Sequence, residues 1–267
     1  MGLRAHPTAV ITGAAGGFGR ALSLALGARG GHLMLSDVNE TALAETARLA
    51  RARGAGEVRT LVCDVTKLSD IEALSAAWEG PIDLVVNNAG VSSGGLIGEL
   101  SMEDWRWTLE VDLFGVIHGC HVFVPRLKKQ GFGHVLNVAS SAGLICLPRM
   151  GAYNAAKAGV IAVSETLAVE LHGTGVGVTV LCPSFFRTDI VNSGRFADEE
   201  TAKMAAKFMA TARPVEEVVD ATLAAVEKDE LYSIPMADAR WMWRIKRALP
   251  VPFRKLVALG ASKLKKQ

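Results

Sequence analysis

Six short runs rich in valine, isoleucine and leucine punctuate this chain, and segments of helix length separate them. The runs are Thr8–Thr12, His32–Leu35, Val58–Cys63, Asp83–Asn87, Val135–Ala139 and Val176–Leu181. Each is four to six residues long, as expected of strands buried on both faces. The segments between them, such as Ala42–Arg53, carry apolar residues at steps of three and four, the period of one helical face. This alternation predicts an α/β fold, a doubly wound parallel sheet of Rossmann type with right-handed crossovers. Half of the 267 residues are hydrophobic, which is ample for one large core. No repeat, low-complexity stretch or Pro/Gly/Ser-rich linker divides the chain, so residues 1–237 read as a single domain. Two stretches depart from the alternation. Residues 184–213 show no strand and read as a long irregular or helical insertion, and residues 238–267 read as a basic helical tail.

Charge separates these parts further. The whole chain carries a formal charge of only +2, which argues against nucleic acid as a partner. Nine of its 29 Lys and Arg lie from Arg240 onward, where there is no acid, leaving 20 basic against 27 acidic residues in the first 239, a net of −7. Cys63, Cys120, Cys146 and Cys182 form no CxxC pair. They read as reduced core thiols rather than disulfides or metal ligands. The segment Met1–Pro7 has no apolar stretch of signal-peptide type, and His6 stands where a myristoylation signal wants Ser or Thr. No apolar run approaches the ~20 residues that span a bilayer. The expected compartment is the cytoplasm.

The first run ends in Thr12-Gly13-Ala14-Ala15-Gly16-Gly17-Phe18-Gly19 and passes into a helical segment. Glycines there permit a sharp turn and the approach of a pyrophosphate to a helix N-terminus, whose free N–H groups and dipole favour anions. In the first βα turn such a cluster reads as a dinucleotide site. The second run leads to Leu35-Ser36-Asp37. An acid there can hydrogen-bond the adenosine ribose and repel a 2′-phosphate; the plainer alternative is that Asp37 starts a turn or caps the helix at Asn39–Thr41. No Arg or Lys occupies position 15 or 38, so NAD is expected rather than NADP. Further on, Tyr153 and Lys157 stand at i and i+4 in a small-residue helix. A nearby ammonium favours the phenolate, so Tyr153 can exchange a proton near neutral pH.

Together these parts resemble the short-chain dehydrogenase/reductase family, from residue 8 to about 235. T-G-x-x-x-G-x-G is Thr12–Gly19, N-N-A-G is Asn87–Gly90, and Y-x-x-x-K is Tyr153–Lys157. The family's serine, thirteen residues before the tyrosine and three before a glycine, is Ser140, followed by Gly143. The resemblance implies hydride transfer between NAD and a small-molecule alcohol or carbonyl substrate, with no metal. It makes Tyr153 the general acid/base and Ser140 the group that orients the substrate oxygen. Lys157 lowers the tyrosine pKa and holds the nicotinamide ribose. Thr12, Gly13, Gly17, Phe18 and Gly19 form the dinucleotide turn, and Asp37 the ribose contact. Asp64 and Val65 touch the adenine, Asn88, Ala89 and Gly90 line the adenosine side, and Thr188 binds the carboxamide. Where the family has a catalytic Asn, this chain has Asp112, which keeps oxygen acceptors but loses an amide donor. In P-G-x-x-x-T, Ser184 replaces the glycine.

The resemblance makes residues 184–213 a flap over the substrate. They carry Phe185, Phe186, Ile190, Val191, Phe196, Met204, Phe208 and Met209. Part of that set is expected to be core, and the remainder suggests a lipophilic substrate of steroid, retinoid or fatty-alcohol class. A competing reading is a catalytically idle NAD-binding or membrane-tethered scaffold. Family members pair equivalent helices, so a homodimer or homotetramer is expected through the helices of Asp112 and Tyr153. The second of these runs through Ala155, Ala156, Ala158, Gly159, Ala162 and Ala168. In the tail, Trp241, Ile245, Ala248 and Leu249 share one helical face while Arg240, Arg244 and Arg247 share another. Pro250 and Pro252 break the helix, and a second segment puts Phe253, Leu256, Val257, Gly260 and Leu264 on one face. Two readings follow: peripheral contact with anionic lipid, or tryptophans packed over the substrate pocket or a partner subunit.

Overall fold

The computed structural model describes residues 2–188, 190, 191, 193–210 and 212–264. Among them, the expected strands appear as β1 (Thr8–Thr12), β2 (His32–Asp37), β3 (Val58–Val62), β4 (Leu84–Asn87), β5 (Gly133–Val138) and β6 (Val176–Leu181). A seventh, β7 (Tyr232–Ser233), pairs with β6 through Val180 and Leu181. It is two residues long and followed by Pro235, too short to leave a period in the sequence. All pairings are parallel, in the order β3-β2-β1-β4-β5-β6-β7. The chain reverses its direction of winding between β1 and β4, which opens a crevice at their carboxyl ends.

Side chains alternate across the pleat, so each strand serves two cores. Along β1, Ala9 and Ile11 face one hydrophobic cluster and Val10 the other. The first cluster is closed by α1 (Gly17–Ala28), α2 (Glu40–Ala52) and α9 (Val215–Glu227), the second by α3 (Leu68–Ala76) and α5 (Gly115–Gln130). Strand β3 departs from the expected double burial: only Val58 is buried, while Arg59, Thr60 and Val62 are exposed. As the outermost strand it has a neighbour on one side only, and only Val58 packs into the first core with α2.

Helix α4 (Met102–Leu109) runs into α5 through Glu110–Phe114, one turn widened to π geometry. A short α6 (Ser141–Ile145) and the long α7 (Gly151–Glu170) follow β5. The insertion at 184–213 contains α8 (Glu199–Ala210) and, against expectation, a strand: Arg195–Phe196 pairs with Ser93–Gly94 just beyond β4. Two residues, one charged and one aromatic, give no alternation to read. The four cysteines are free, but they are not all core; Cys63 and Cys182 are buried, Cys120 is half-buried and Cys146 is exposed.

The tail forms α10 (Ala237–Ala248) and α11 (Pro250–Leu264). Pro250 both ends one helix and opens the next, since the first helical position needs no N–H donor. Phe253 is buried in the first core, so the tail belongs to the domain. The side chains of Lys263 and Leu264, and all of Lys265 and Lys266, lie outside the described residues. No helix among those described is long and apolar enough to cross a membrane.

Candidate active site

The crevice at the strand ends is one cavity of about 890 Å³, lined from Gly13 and Asp37 at one end to Ser140, Tyr153 and the flap at the other. Its floor is set by the turn after β1. Gly13 takes a left-handed conformation, φ 66°, and a Cβ there would lie 2.7 Å from the Cα of Ala89. The turn is tied to the end of β4 by Asn88, whose Nδ2 donates to the carbonyls of Thr12 (2.8 Å) and Gly13 (2.9 Å). In return Thr12 Oγ1 accepts from the backbone N–H of Asn88 and Ala89. The first turn of α1 then faces the cavity with no side chain capping it, which suits an anion.

Asp37 begins a turn, as the plainer reading had it, and also stands on the cavity. Its Oδ2 accepts from the N–H of Ala15 at 3.0 Å and its Oδ1 from that of Asn39 at 2.9 Å, while the side chain lines the cavity. The cap of α2 is Asn39, not Asp37. Arg20 is held by Thr46 and by the carbonyls of Ala15 and Ala42.

At the other end, Ser140 is the N-cap of α6, its Oγ accepting from the N–H of Ala142 at 3.1 Å. Gly143 brings α6 against α7, since a Cβ there would be 2.6 Å from the backbone of Lys157. This apposition puts Ser140 beside Tyr153. The Lys157 ammonium lies 5.6 Å from the centre of the Tyr153 ring and donates to the carbonyl of Val138 at 3.1 Å. Lys157 is only 3% exposed and Asp112 not at all, and Lys157 Nζ stands 3.4 Å from Asp112 Oδ2. Burial raises the Asp112 carboxyl above its ordinary range against the pull of Lys157. Tyr153 corrects an expectation. Lys157 and Ser140 pull its pKa down, but burial, seconded by the Asp112 carboxylate, outweighs them and the net direction is up.

Most of the residues singled out from sequence meet on this cavity: Gly13, Gly17, Phe18, Asp37, Asp64, Val65, Asn88, Ala89, Gly90, Ser140, Tyr153, Lys157 and Thr188. Three stand behind its wall instead. Thr12 spends its hydroxyl on the β4 end, Gly19 packs under the Gly13 carbonyl, and Asp112 lies beyond Lys157. All eight apolar flap residues reach the cavity, so none is core alone; Phe185 and Phe208 stack with centroids 4.8 Å apart, and Phe186 also meets Phe18 edge-on.

Other contributors left no sequence signal. Arg149, held at φ 62°, fastens the flap by bonds to Asp198, Thr201 and Glu200. The start of α8 was readable, because Asp198 accepts from the N–H of Thr201 three residues on. Val257 and Gly260 of α11 complete the wall. The tail therefore reaches the cleft, but not through its tryptophans: Trp241 is exposed, and Trp243 packs on Tyr232 at 5.1 Å. Among the described residues no three His, Cys, Asp or Glu cluster so as to hold a metal ion.

Comparison with known proteins places these features in context. A family model described as short chain dehydrogenase matches residues 7–199. EphD of Mycobacterium tuberculosis, named as an oxidoreductase, is 33% identical over 262 residues; the match takes in 93% of this chain, which spans 44% of the length of EphD. A short-chain dehydrogenase/reductase from Burkholderia phymatum, solved with NAD, superimposes with a TM-score of 0.84 at 35% identity, over 91% of this chain and 93% of the other. A short-chain dehydrogenase from Sphingobium yanoikuyae, solved with NADPH, gives 0.79 at 26% identity, over 94% and 95%.

Proposed function

The chain belongs to the short-chain dehydrogenase family, and on that premise we propose that it oxidises or reduces a lipophilic alcohol–ketone pair with NAD, using Tyr153 as general acid/base. The observation that carries this reading is the meeting of Ser140, Tyr153 and Lys157 on the same cavity that begins at the uncapped turn of α1. The turn at Gly13–Gly19 would hold the pyrophosphate, and Asp37 the adenosine ribose. Asp64, Val65 and Asn88–Gly90 would line the adenine side, with Thr188 and Lys157 toward the nicotinamide. When bound, the nicotinamide supplies the hydride acceptor or donor. Tyr153 moves a proton at the substrate oxygen, Ser140 orients that oxygen, and the ammonium of Lys157 favours the phenolate. An idle scaffold needs none of these three side chains.

The apolar flap and Val257 support the lipophilic class: a polar alcohol would leave its further hydroxyls without hydrogen-bond partners against that wall. In a screen of secondary alcohols with NAD, lipophilic substrates should therefore give the highest kcat/KM. With the best of them, Tyr153→Phe should lower kcat by ~10²–10⁴-fold while retaining NAD binding. A rate within a few-fold of the parent would refute the role of Tyr153.

Asp37 supports NAD over NADP, because a 2′-phosphate would meet a carboxylate already fixed by two backbone donors. The ratio of kcat/KM for NAD to that for NADP should be well above one and should fall in Asp37→Ala. A parent enzyme that favours NADP would end this assignment.

Self-association is the third element of the reading. Ala155, Ala162 and Val169 recur every seven residues as an exposed stripe on α7, whereas Ala156 and Gly159 are used inside the chain, the latter against Leu113. Light scattering should give two or four times 28.3 kDa; a monomer at micromolar concentration would contradict it.

The tail supports peripheral contact with anionic lipid. Trp241, Ile245 and Leu249 are 62%, 46% and 55% exposed among Arg240, Arg244 and Arg247, and each basic residue near such a surface contributes ~1 kcal/mol. Because α11 completes the cavity, substitution tests this better than truncation. The parent should co-sediment with anionic vesicles at low salt and be released by salt, and Trp241→Glu with Ile245→Glu should stay in the supernatant. Failure of the parent to sediment excludes the contact.

A further inference from the structure

One ammonium stands beside Tyr153, and two groups compete for it. Lys157 faces Tyr153 on one side and Asp112 on the other, and it is almost wholly out of solvent. Asp112 is anchored by Oδ1, which accepts from the N–H of Val91 at 2.7 Å. Its Oδ2 is buried with no hydrogen bond; the ammonium 3.4 Å away is what it has. The remaining neighbours are few. Ser140 acts on Tyr153 by hydrogen bonding, and Cys182, at the end of β6, faces Lys157 with a thiol that burial pushes up to about 12. With that thiol held protonated, the competition is between the carboxyl of Asp112 and the phenol of Tyr153 for a single ammonium.

We propose that Asp112 is the positioning residue that sets the charge of this site: it draws on Lys157 from behind, leaving Tyr153 less of that positive charge than a neutral side chain at position 112 would. Charge counting gives the direction. With Asp112 ionised and Lys157 charged, forming the phenolate takes a desolvated site from neutral to negative. With an amide at 112, the same step takes it from positive to neutral. The carboxylate thus moves proton exchange at Tyr153 to higher pH, above the pH at which Asp112 itself ionises. Only the catalytic meaning of this rests on the reading of Tyr153 given above; the electrostatic claim concerns the side chains alone.

The chain has two tyrosines, which makes a direct measurement available without substrate or cofactor. Tyr232 lies outside the cavity, where its hydroxyl meets Glu165. In Tyr232→Phe, the ultraviolet absorbance of tyrosinate reports Tyr153 alone. Adding Asp112→Asn, which keeps an acceptor for Val91, should lower the titration midpoint by about one pH unit or more. Asp112→Ser, a second neutral variant, should move it the same way. Circular dichroism over the pH range reports whether each variant is folded. A midpoint unchanged or raised in a folded variant overturns the proposal. Loss of the fold in both variants does so too, because it assigns Asp112 to the core rather than to the site. Since no turnover is measured, the result stands whether or not the enzyme accepts the alcohols proposed above.

Discussion

The side-chain amide of Asn88 supplies two hydrogens to the turn that leaves β1, and the cavity exists because it does. Where the chain bends away from the sheet, the carbonyls of Thr12 and Gly13 lose their strand partners. A buried acceptor left bare costs about 1–3 kcal/mol. Asn88 reaches across from the end of β4 and satisfies the pair. The bend is then fixed to the strand on the far side of the crevice. Everything that follows, from the uncapped first turn of α1 to the approach of Thr188 on Gly17, is placed relative to that tie.

The second constraint is the close contact of two helices. Gly143 allows α6 to lie directly on the backbone of α7 at Lys157, so Ser140 and Tyr153 are set by main-chain contacts rather than by flexible side chains. Pre-organisation of this kind is what the proposed proton transfer would require, since catalytic groups misplaced by an ångström lose much of their effect. Behind them the widened turn at Glu110–Phe114 carries Asp112 inward. Such turns recur at functional sites, where they re-aim a side chain that an ordinary helix would point elsewhere.

The sheet was legible because buried parallel strands are written as continuous apolar runs, and β1 and β6 coincide with theirs to the residue. The place of Asp37 on the cavity and the Tyr153–Lys157 pair were legible because fixed spacing puts each on a known surface of its element. What the sequence hid has physical reasons. The two-residue strands at Tyr232 and Arg195 are too short for any period. Arg149 acts through partners some fifty residues away. Thr12 carries the same letter whether it touches a phosphate or props up a loop, and only its hydrogen bonds tell which. The tryptophans of α10 drew attention by size, whereas the smaller Val257 and Gly260 are what reach the cavity.

That last feature couples two properties usually treated apart. One helix, α11, is at once a wall of the cavity, through Val257 and Gly260, and a lid on the first core, through Phe253. Its docked and undocked states must differ in affinity for whatever fills the cavity. By linkage, an occupant that touches this wall favours the docked helix by the share of its binding free energy that the wall supplies, and an undocked helix costs binding that same share. The carboxyl-terminal segment is thus a reporter of occupancy: the fuller the cavity, the longer the chain's last turns stay shut.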